Sequence, residues 1–160
     1  MLVPFNHLSP KSRIWIYQCN RLLSDSEIEK IKSLGNDFVT NWTAHQQTLA
    51  AGFEVFHNLF LVIAVDESVN DASGCSIDKA FGFIKQLEKM FAVELLNRMN
   101  VAIRNNNQLQ VLHISELTAL LNQLNSKNKI EIFNNLVATK EELEQNWLQP
   151  VEKSWVANYI

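Results

Sequence analysis

Residues 53–65 read Phe-Glu-Val-Phe-His-Asn-Leu-Phe-Leu-Val-Ile-Ala-Val, and this stretch decides the fold. Phe53–His57 and Leu59–Val65 predict two strands in close succession, joined near His57 and Asn58. The second strand is apolar at every position, so both of its faces are expected to be covered and the strand to be central. The sequence therefore predicts a hairpin in the middle of a sheet.

Capping signals and apolar spacing define the elements around this hairpin. Residues 13–18 are β-branched and aromatic and predict a strand. Ser24 and Glu27 have capping-box spacing, and the apolar residues that follow predict a helix over residues 25–43. A second helix is predicted from Ser76 onward. The rest of the sequence predicts a hairpin at 101–114 and a third helix that begins at Ser115. Residues 129–134 fit either a strand or a helix, and a last helix is predicted at 139–148.

This order of elements predicts an α+β fold. We expect one domain over residues 1–160, because neither an internal repeat nor a low-complexity linker marks a boundary. The first six elements match the split βαβ order, βαββαβ, of ferredoxin-like folds. The prediction is an antiparallel or mixed sheet with helices on one face, a ferredoxin-like core, and C-terminal additions.

Charge and hydropathy exclude two classes of partner. The chain has 14 Lys and Arg against 17 Asp and Glu, a net charge of −3, whereas a protein that binds the phosphate backbone needs clustered positive charge. Nucleic acid is therefore not expected. The longest apolar run, Leu59–Val65, is far shorter than the roughly 20 residues that span a bilayer, so no membrane is expected either.

The N-terminus and the cysteines indicate a cytoplasmic protein. Residues 1–13 contain Pro4, Asn6, His7 and Pro10 and lack the apolar stretch of a secretory signal. The two cysteines form neither a CxxC pair nor a Cys/His ligand pattern, so reduced thiols are expected. No glycine lies in a P-loop or dinucleotide-binding motif, and hydrolase motifs are missing as well. We therefore predict no cofactor and no metal, and whether the chain is an enzyme stays open.

The segment after the central strand is the best candidate for a site. A polar loop opens at Asp66 and leads into the second helix through Ser73-Gly-Cys-Ser-Ile-Asp78. A strand end, a polar loop and a helix N-terminus together offer side chains and free backbone N–H groups to a ligand. We expect a non-enzymatic module that binds a small polar or anionic ligand, or a protein partner, through N–H groups at 75–77. The predicted ligand-binding residues are Trp42, Glu67, Ser73, Gly74, Ser76 and Asp78.

A thiol-dependent enzyme is the alternative function. Cys75 would lie at the positive end of the helix dipole, which favours a nucleophilic thiolate. His45, near the end of the first helix, would act as the base, and Asp66 or Asp78 would orient it. A homo-oligomer in which residues 155–160 reach a neighbouring subunit also stays open.

These same residues resemble a small uncharacterised bacterial family. Its members carry VDES, a short gap, SGCSID and an FIKxLE helix, which stand here at 65–68, 73–78 and 83–88, and an RxWIYQ strand matches residues 13–18. The resemblance covers about the first 90 residues and implies a family site between Asp66 and Asp78. Members are often labelled ABC transporter ATPases, but this chain contains neither a Walker A loop nor the transporter signature.

Overall fold

The computed structural model describes residues 1–123 and 129–159; of Tyr159 it describes the backbone only. The described residues form two compact units, Met1–Leu96 with Ala138–Glu141, and Asn97–Val137 with the remainder from Glu142. The amino-acid composition does not change at the boundary between the units, so the sequence does not predict this division. The single domain predicted over 1–160 stays a prediction, because a division by contacts does not decide whether the units fold separately.

The first unit is built on a three-stranded antiparallel sheet with two long helices. Its elements, in chain order, are β1 (Arg13–Gln18), α1 (Asp25–Thr40), β2 (Thr43–Ala44), β3 (Gln47–Thr48), β4 (Ala51–Phe56), β5 (Phe60–Val65) and α2 (Gly74–Phe91). The strand order of the sheet is β1-β5-β4. All six residues of β5 are buried, which confirms the central strand predicted from the apolar run.

The two faces of β5 are covered by different parts of the chain. Phe53 of β4 contacts Phe83 of α2 and lies against Gly35 of α1, so both helices pack on one face. On the opposite face, the ring of Phe5 lies 5.3 Å from that of Phe56. An N-terminal segment with a short 3-10 helix at Phe5–His7 therefore covers the side that the helices leave open. This double cover explains why the strand needs apolar residues at every position.

The ferredoxin-like core is not confirmed. β1 and β4 flank β5, as the split βαβ arrangement requires, but the next strand in the chain belongs to a different sheet. On the edge of β1 where a fourth strand would pair, the N–H of Ile14 donates to the carbonyl of Ala138 at 3.0 Å. Arg13 forms an isolated antiparallel bridge with Thr139 beside it.

The first helix is shorter than predicted. It begins with the predicted capping box of Ser24 and Glu27 but ends at Thr40, and not at residue 43. The chain then forms the small hairpin β2–β3, whose turn residues His45 and Gln46 have φ of 51° and 65°. The prediction that His45 lies near the end of the helix is therefore wrong. The pair His45-Gln46 is not a turn signal, because two-residue hairpin turns usually contain Asn, Asp or Gly.

The second unit contains a four-stranded antiparallel sheet of order β7-β6-β8-β9. Its elements are β6 (Asn100–Asn105), β7 (Gln108–His113), α3 (Ile114–Gln123), β8 (Ile130–Phe133), α4 (Lys140–Asn146), which begins in the first unit, and β9 (Leu148–Pro150). Its core residues are Val101, Ile103, Leu112, Leu117, Ile130, Ile132, Val151 and Val156. The predicted hairpin at 101–114 is confirmed, with Asn106 and Asn107 at positive φ.

Four predictions concern the C-terminal half. The segment at 129–134, which fitted strand or helix, contains a strand. The last helix stops at Asn146, and a short edge strand takes the place of its predicted end. Ser115 lies inside α3, where its N–H donates to Nδ1 of His113 at 3.2 Å, so it is not the predicted cap. The segment proposed to reach a neighbour, 155–160, forms a 3-10 helix at Trp155–Tyr159, and Ile160 lies outside the described residues.

Candidate functional site

Asp66, at the end of β5, holds the start of the candidate loop. Its Oδ1 accepts hydrogen bonds from the N–H and the Oγ of Ser68, at 3.0 and 2.6 Å. Its own N–H donates to the carbonyl of Ala50 at 2.8 Å. A carboxylate that accepts from the backbone two residues on forms a local turn. Asp66 therefore shapes the loop, and one of its two oxygens is already occupied.

Glu67 and Asn70 fasten the rest of the loop. Oε2 of Glu67 accepts from the N–H of Ala72 at 3.0 Å, while Oε1 lies 3.9 Å from Nη1 of Arg13. The amide of Asn70 donates to the carbonyl of Thr48 in the β2–β3 hairpin at 2.9 Å. Glu67, which was predicted to bind a ligand, and Asn70 are thus engaged with the loop's own surroundings.

The beginning of α2 is closed by a serine capping box. Ser73 Oγ accepts from the N–H of Ser76 at 3.1 Å, and Ser76 Oγ accepts from the N–H of Ser73 at 2.7 Å. Ser76 Oγ also donates to the carbonyl of Ser73 at 2.7 Å. Ser76 takes the place that Glu or Gln has in the usual box. Ser76 is only 1% exposed, so its hydroxyl, which was predicted to contact a ligand, is directed at the helix start and not at solvent.

Trp42 supports this helix start from inside the protein. Its indole N–H donates to the carbonyl of Ser76 at 2.8 Å, and its ring packs against Trp15 and Phe38. The residue is only 2% exposed. Buried on all sides, it does not form the wall of an open pocket that the sequence suggested. Its role in the structure is to position the first turn of α2.

Cys75, Gly74 and Asp78 are exposed on the first turns of α2. Gly74 is helical, with a φ outside the positive range, and a Cβ atom added there would meet nothing within 4 Å. The glycine therefore leaves the backbone of the first turn uncovered by other parts of the described chain. His45 is also exposed, at its hairpin turn. Among the described residues, no hydrogen bond or ion pair joins His45 to Cys75.

Capping reduces the set of backbone donors at this helix. The sequence predicted free N–H groups at 75–77, but that of Ser76 donates to Ser73 Oγ and that of Ile77 donates to the carbonyl of Ser73 at 2.9 Å. The N–H groups of Gly74 and Cys75 are the two in the first turn that the capping box leaves unoccupied. Of the three N–H groups predicted to face a ligand, at 75–77, only that of Cys75 is therefore left without a bond to Ser73.

Two apolar side chains near this segment are exposed, and the sequence did not predict this. Val69, within the polar loop, is 54% exposed, and Phe81, on α2, is 44% exposed. The ammonium of Lys85 lies 4.8 Å from the centre of the Phe81 ring. A valine inside a run of Asp, Glu, Ser and Asn gives no periodic signal, so only the folded loop shows that it points outward.

A solvent-open groove of about 680 Å³ lies farther along α2, outside the predicted site. Its lining residues are Gly82, Lys85, Gln86, Glu88, Lys89, Val93 and Glu94. Oε2 of Glu88 accepts from the N–H groups of Leu95 and Leu96, at 2.7 and 3.2 Å, and so ties the chain down after the helix.

Within residues 1–123 and 129–159, no three His, Cys, Asp or Glu side chains lie close enough together to hold a metal ion. None of the helices seen there has the length and apolar character that crossing a bilayer requires. Comparison with models of protein families, with curated proteins and with solved structures gave no match.

Proposed function

We propose that this chain is a non-enzymatic module that binds a protein partner through the loop 66–73 and the first turns of α2. The proposal depends on one observation about the directions of side chains. The polar groups of Asp66 and Glu67 bond within their own loop, whereas Val69, Cys75 and Asp78 are exposed to solvent. Polar groups that bond to their own loop fix one conformation, and a fixed surface with exposed apolar atoms favours docking of a protein.

The charge of the chain favours a protein over a nucleic acid as the partner. The net charge is −3, and the acidic residues Asp66, Glu67, Asp71 and Asp78 all lie in the proposed surface. Such a surface would repel a phosphate backbone. We place the protein in the cytoplasm, since Cys19 and Cys75 are both free and a reducing compartment keeps thiols in that state.

The native thiol offers a direct test. Cys19 is buried, and burial raises the pKa of its thiol, so a benzophenone maleimide should label Cys75 selectively. After irradiation in an extract of the source cells, we expect one discrete protein adduct, which an excess of unlabelled protein abolishes. The matched control carries Cys75→Ser and Lys30→Cys, which moves the label to an exposed position on α1.

The outcomes of this experiment are distinct. An adduct from Cys75 and none from the control position supports docking at the loop. Equal labelling from both positions, or none from Cys75, contradicts it. A panel of metabolites and anions tests the small-ligand form of the hypothesis, since a compound that binds the folded state raises the melting temperature.

A thiol-dependent enzyme with Cys75 as the nucleophile stays the second candidate, because the Cys75 thiol is exposed. Its test is the rate of iodoacetamide labelling of the folded protein against pH, in the wild type and in His45→Gln. A rate that rises only above about pH 8.5, as for an ordinary thiol, would remove this candidate. An unchanged profile in the variant would remove His45 as the base.

A further inference from the structure

The strand β7 forms one edge of the second sheet, and within residues 1–123 and 129–159 no strand pairs with its outer side. In the strand order of the described residues, β7-β6-β8-β9, it has a neighbour on one side only. Asn105 and Gln108 flank the two-residue turn and form a hydrogen-bonded pair, so such pairs alternate along the hairpin. The N–H and C=O groups of Leu109, Val111 and His113 therefore point away from β6.

Among the described residues, the other three edges of the two larger sheets each carry a feature that blocks a further strand. At β1, Ile14 already donates to Ala138. At β4, Ala51 bonds to the first residues of the chain, and the N–H of Val55 donates to the carboxylate of Glu54 at 2.9 Å. The fourth edge, β9, is only three residues long and ends in Pro150, which has no N–H. Short strands, charges and proline are the usual means of protecting an edge.

β7 has none of these protections. Its six residues, Gln-Leu-Gln-Val-Leu-His, include no Pro, no Gly, and no Asp, Glu, Lys or Arg. An uncharged strand does not repel an identical strand laid beside it, whereas a charged edge would. Leu109 and Val111 are half-buried on the same face of the strand, so they still have apolar surface to cover.

We infer that β7 is a dimerisation edge that pairs with the β7 strand of a second copy of this chain. The pairing is antiparallel about a twofold axis at Val111, so that Val111 lies opposite its own counterpart and Leu109 opposite His113. This register uses every outward N–H and C=O of the strand, about six main-chain hydrogen bonds. It joins two four-stranded sheets into one and is isologous, so it closes at two copies.

Replacing Val111, at the twofold axis, by a charged residue tests this pairing. Val111→Lys places two like-charged side chains directly opposite each other, with Cβ atoms about 5 Å apart across the axis, which should raise the dissociation constant of the dimer about fourfold or more. Val111→Glu should do the same. An equal mixture of the two variants should dimerise again, and Val111→Thr, which is uncharged and β-branched, should dimerise as the wild type does.

Sedimentation velocity over about a hundredfold range of concentration gives the masses. A wild type that stays monomeric throughout overturns the proposal. The proposal is also overturned if Val111→Lys and Val111→Glu each dimerise as the wild type does, or if their equal mixture stays monomeric. If a circular dichroism spectrum shows that a charged variant does not fold, amide exchange in the wild type decides. Protection of the Leu109 and Val111 amides must rise with concentration, while that of Gln110, which bonds to β6, must not.

Discussion

Arg21 and Glu27 form an ion pair whose loss should destabilise the first unit measurably. Nη1 and Nη2 of Arg21 each lie 2.9 Å from one oxygen of Glu27, and Oε1 of Glu27 also accepts from the N–H of Ser24 at 3.0 Å. Arg21 donates in addition to the carbonyl of Phe91, in the last turn of α2, at 3.1 Å. One carboxylate thus completes the cap of α1 and orients the arginine that contacts the end of α2.

The variant Glu27→Gln keeps an oxygen that can accept from Ser24 but removes the charge. An exposed ion pair contributes about 0.2–1 kcal/mol, and a negative charge at a helix N-terminus contributes about 0.3–1 kcal/mol. We therefore expect the free energy of unfolding at pH 7 to fall by about 0.5–2 kcal/mol. Glu29→Gln, an exposed change on the same helix, is the matched control and should change it by less than about 0.5 kcal/mol.

The pH dependence of this difference follows from the pKa of Glu27. The hydrogen bonds from Arg21 hold that pKa at about 2, below its ordinary value of 4.5. A depressed carboxyl pKa stabilises the fold above the unfolded value, and this contribution is lost as the pH falls from 4.5 towards 2. Urea unfolding of both proteins at several pH values measures it. A difference that is absent at pH 7, or that persists undiminished near pH 2, would refute this reasoning.

Two further predictions use the same urea assay. Ser76→Ala removes a double hydrogen bond with Ser73 and should destabilise the protein by about 1–3 kcal/mol, and a loss under about 0.5 kcal/mol would contradict the capping box. Gly82→Ala, in an open part of α2, should stabilise by about 1 kcal/mol, whereas Gly35→Ala, whose Cβ would overlap the ring of Phe53, should destabilise by about 1–3 kcal/mol. Equal effects of the two glycine changes would contradict the packing of α1 on β4.

The parts of the fold that the sequence predicted correctly depend on strong local signals. The apolar run of β5 is continuous because two different layers cover it, and that run alone indicates a central strand. Asn106 and Asn107 favour positive φ, so the β6–β7 turn could be placed. His45 and Gln46 adopt positive φ without that preference, and the β2–β3 hairpin was missed. Its conformation is set by pairing of the flanking strands.

The pairing of strands between sheets could not be predicted from local signals. The order βαββαβ fits a ferredoxin-like fold, yet β6 pairs with β8 in a sheet of its own. Element order is the same for both arrangements, because it does not say which strand lies beside β1. The contacts of Ala138 and Thr139 with that edge come from a segment more than a hundred residues away.

The position of the candidate loop and helix start could be predicted from the sequence, but the directions of their side chains could not. The loop and helix start lie where predicted, and Cys75 is exposed there. Side-chain direction could not be predicted, since a serine before a helix can cap the backbone or face a ligand with the same sequence signature. Ser73 and Ser76 cap each other, so their hydroxyls are engaged, whereas Val69 is exposed.

The most direct test of docking at the loop compares two apolar-to-acidic variants. Val69 and Leu22 are about equally exposed, at 54% and 52%, but only Val69 lies in the proposed surface. Once the partner is identified by cross-linking, calorimetry gives its dissociation constant. Val69→Asp should raise this constant about tenfold or more, and Leu22→Asp should leave it within about twofold. Equal effects of the two changes would contradict a docking surface at residues 66–78.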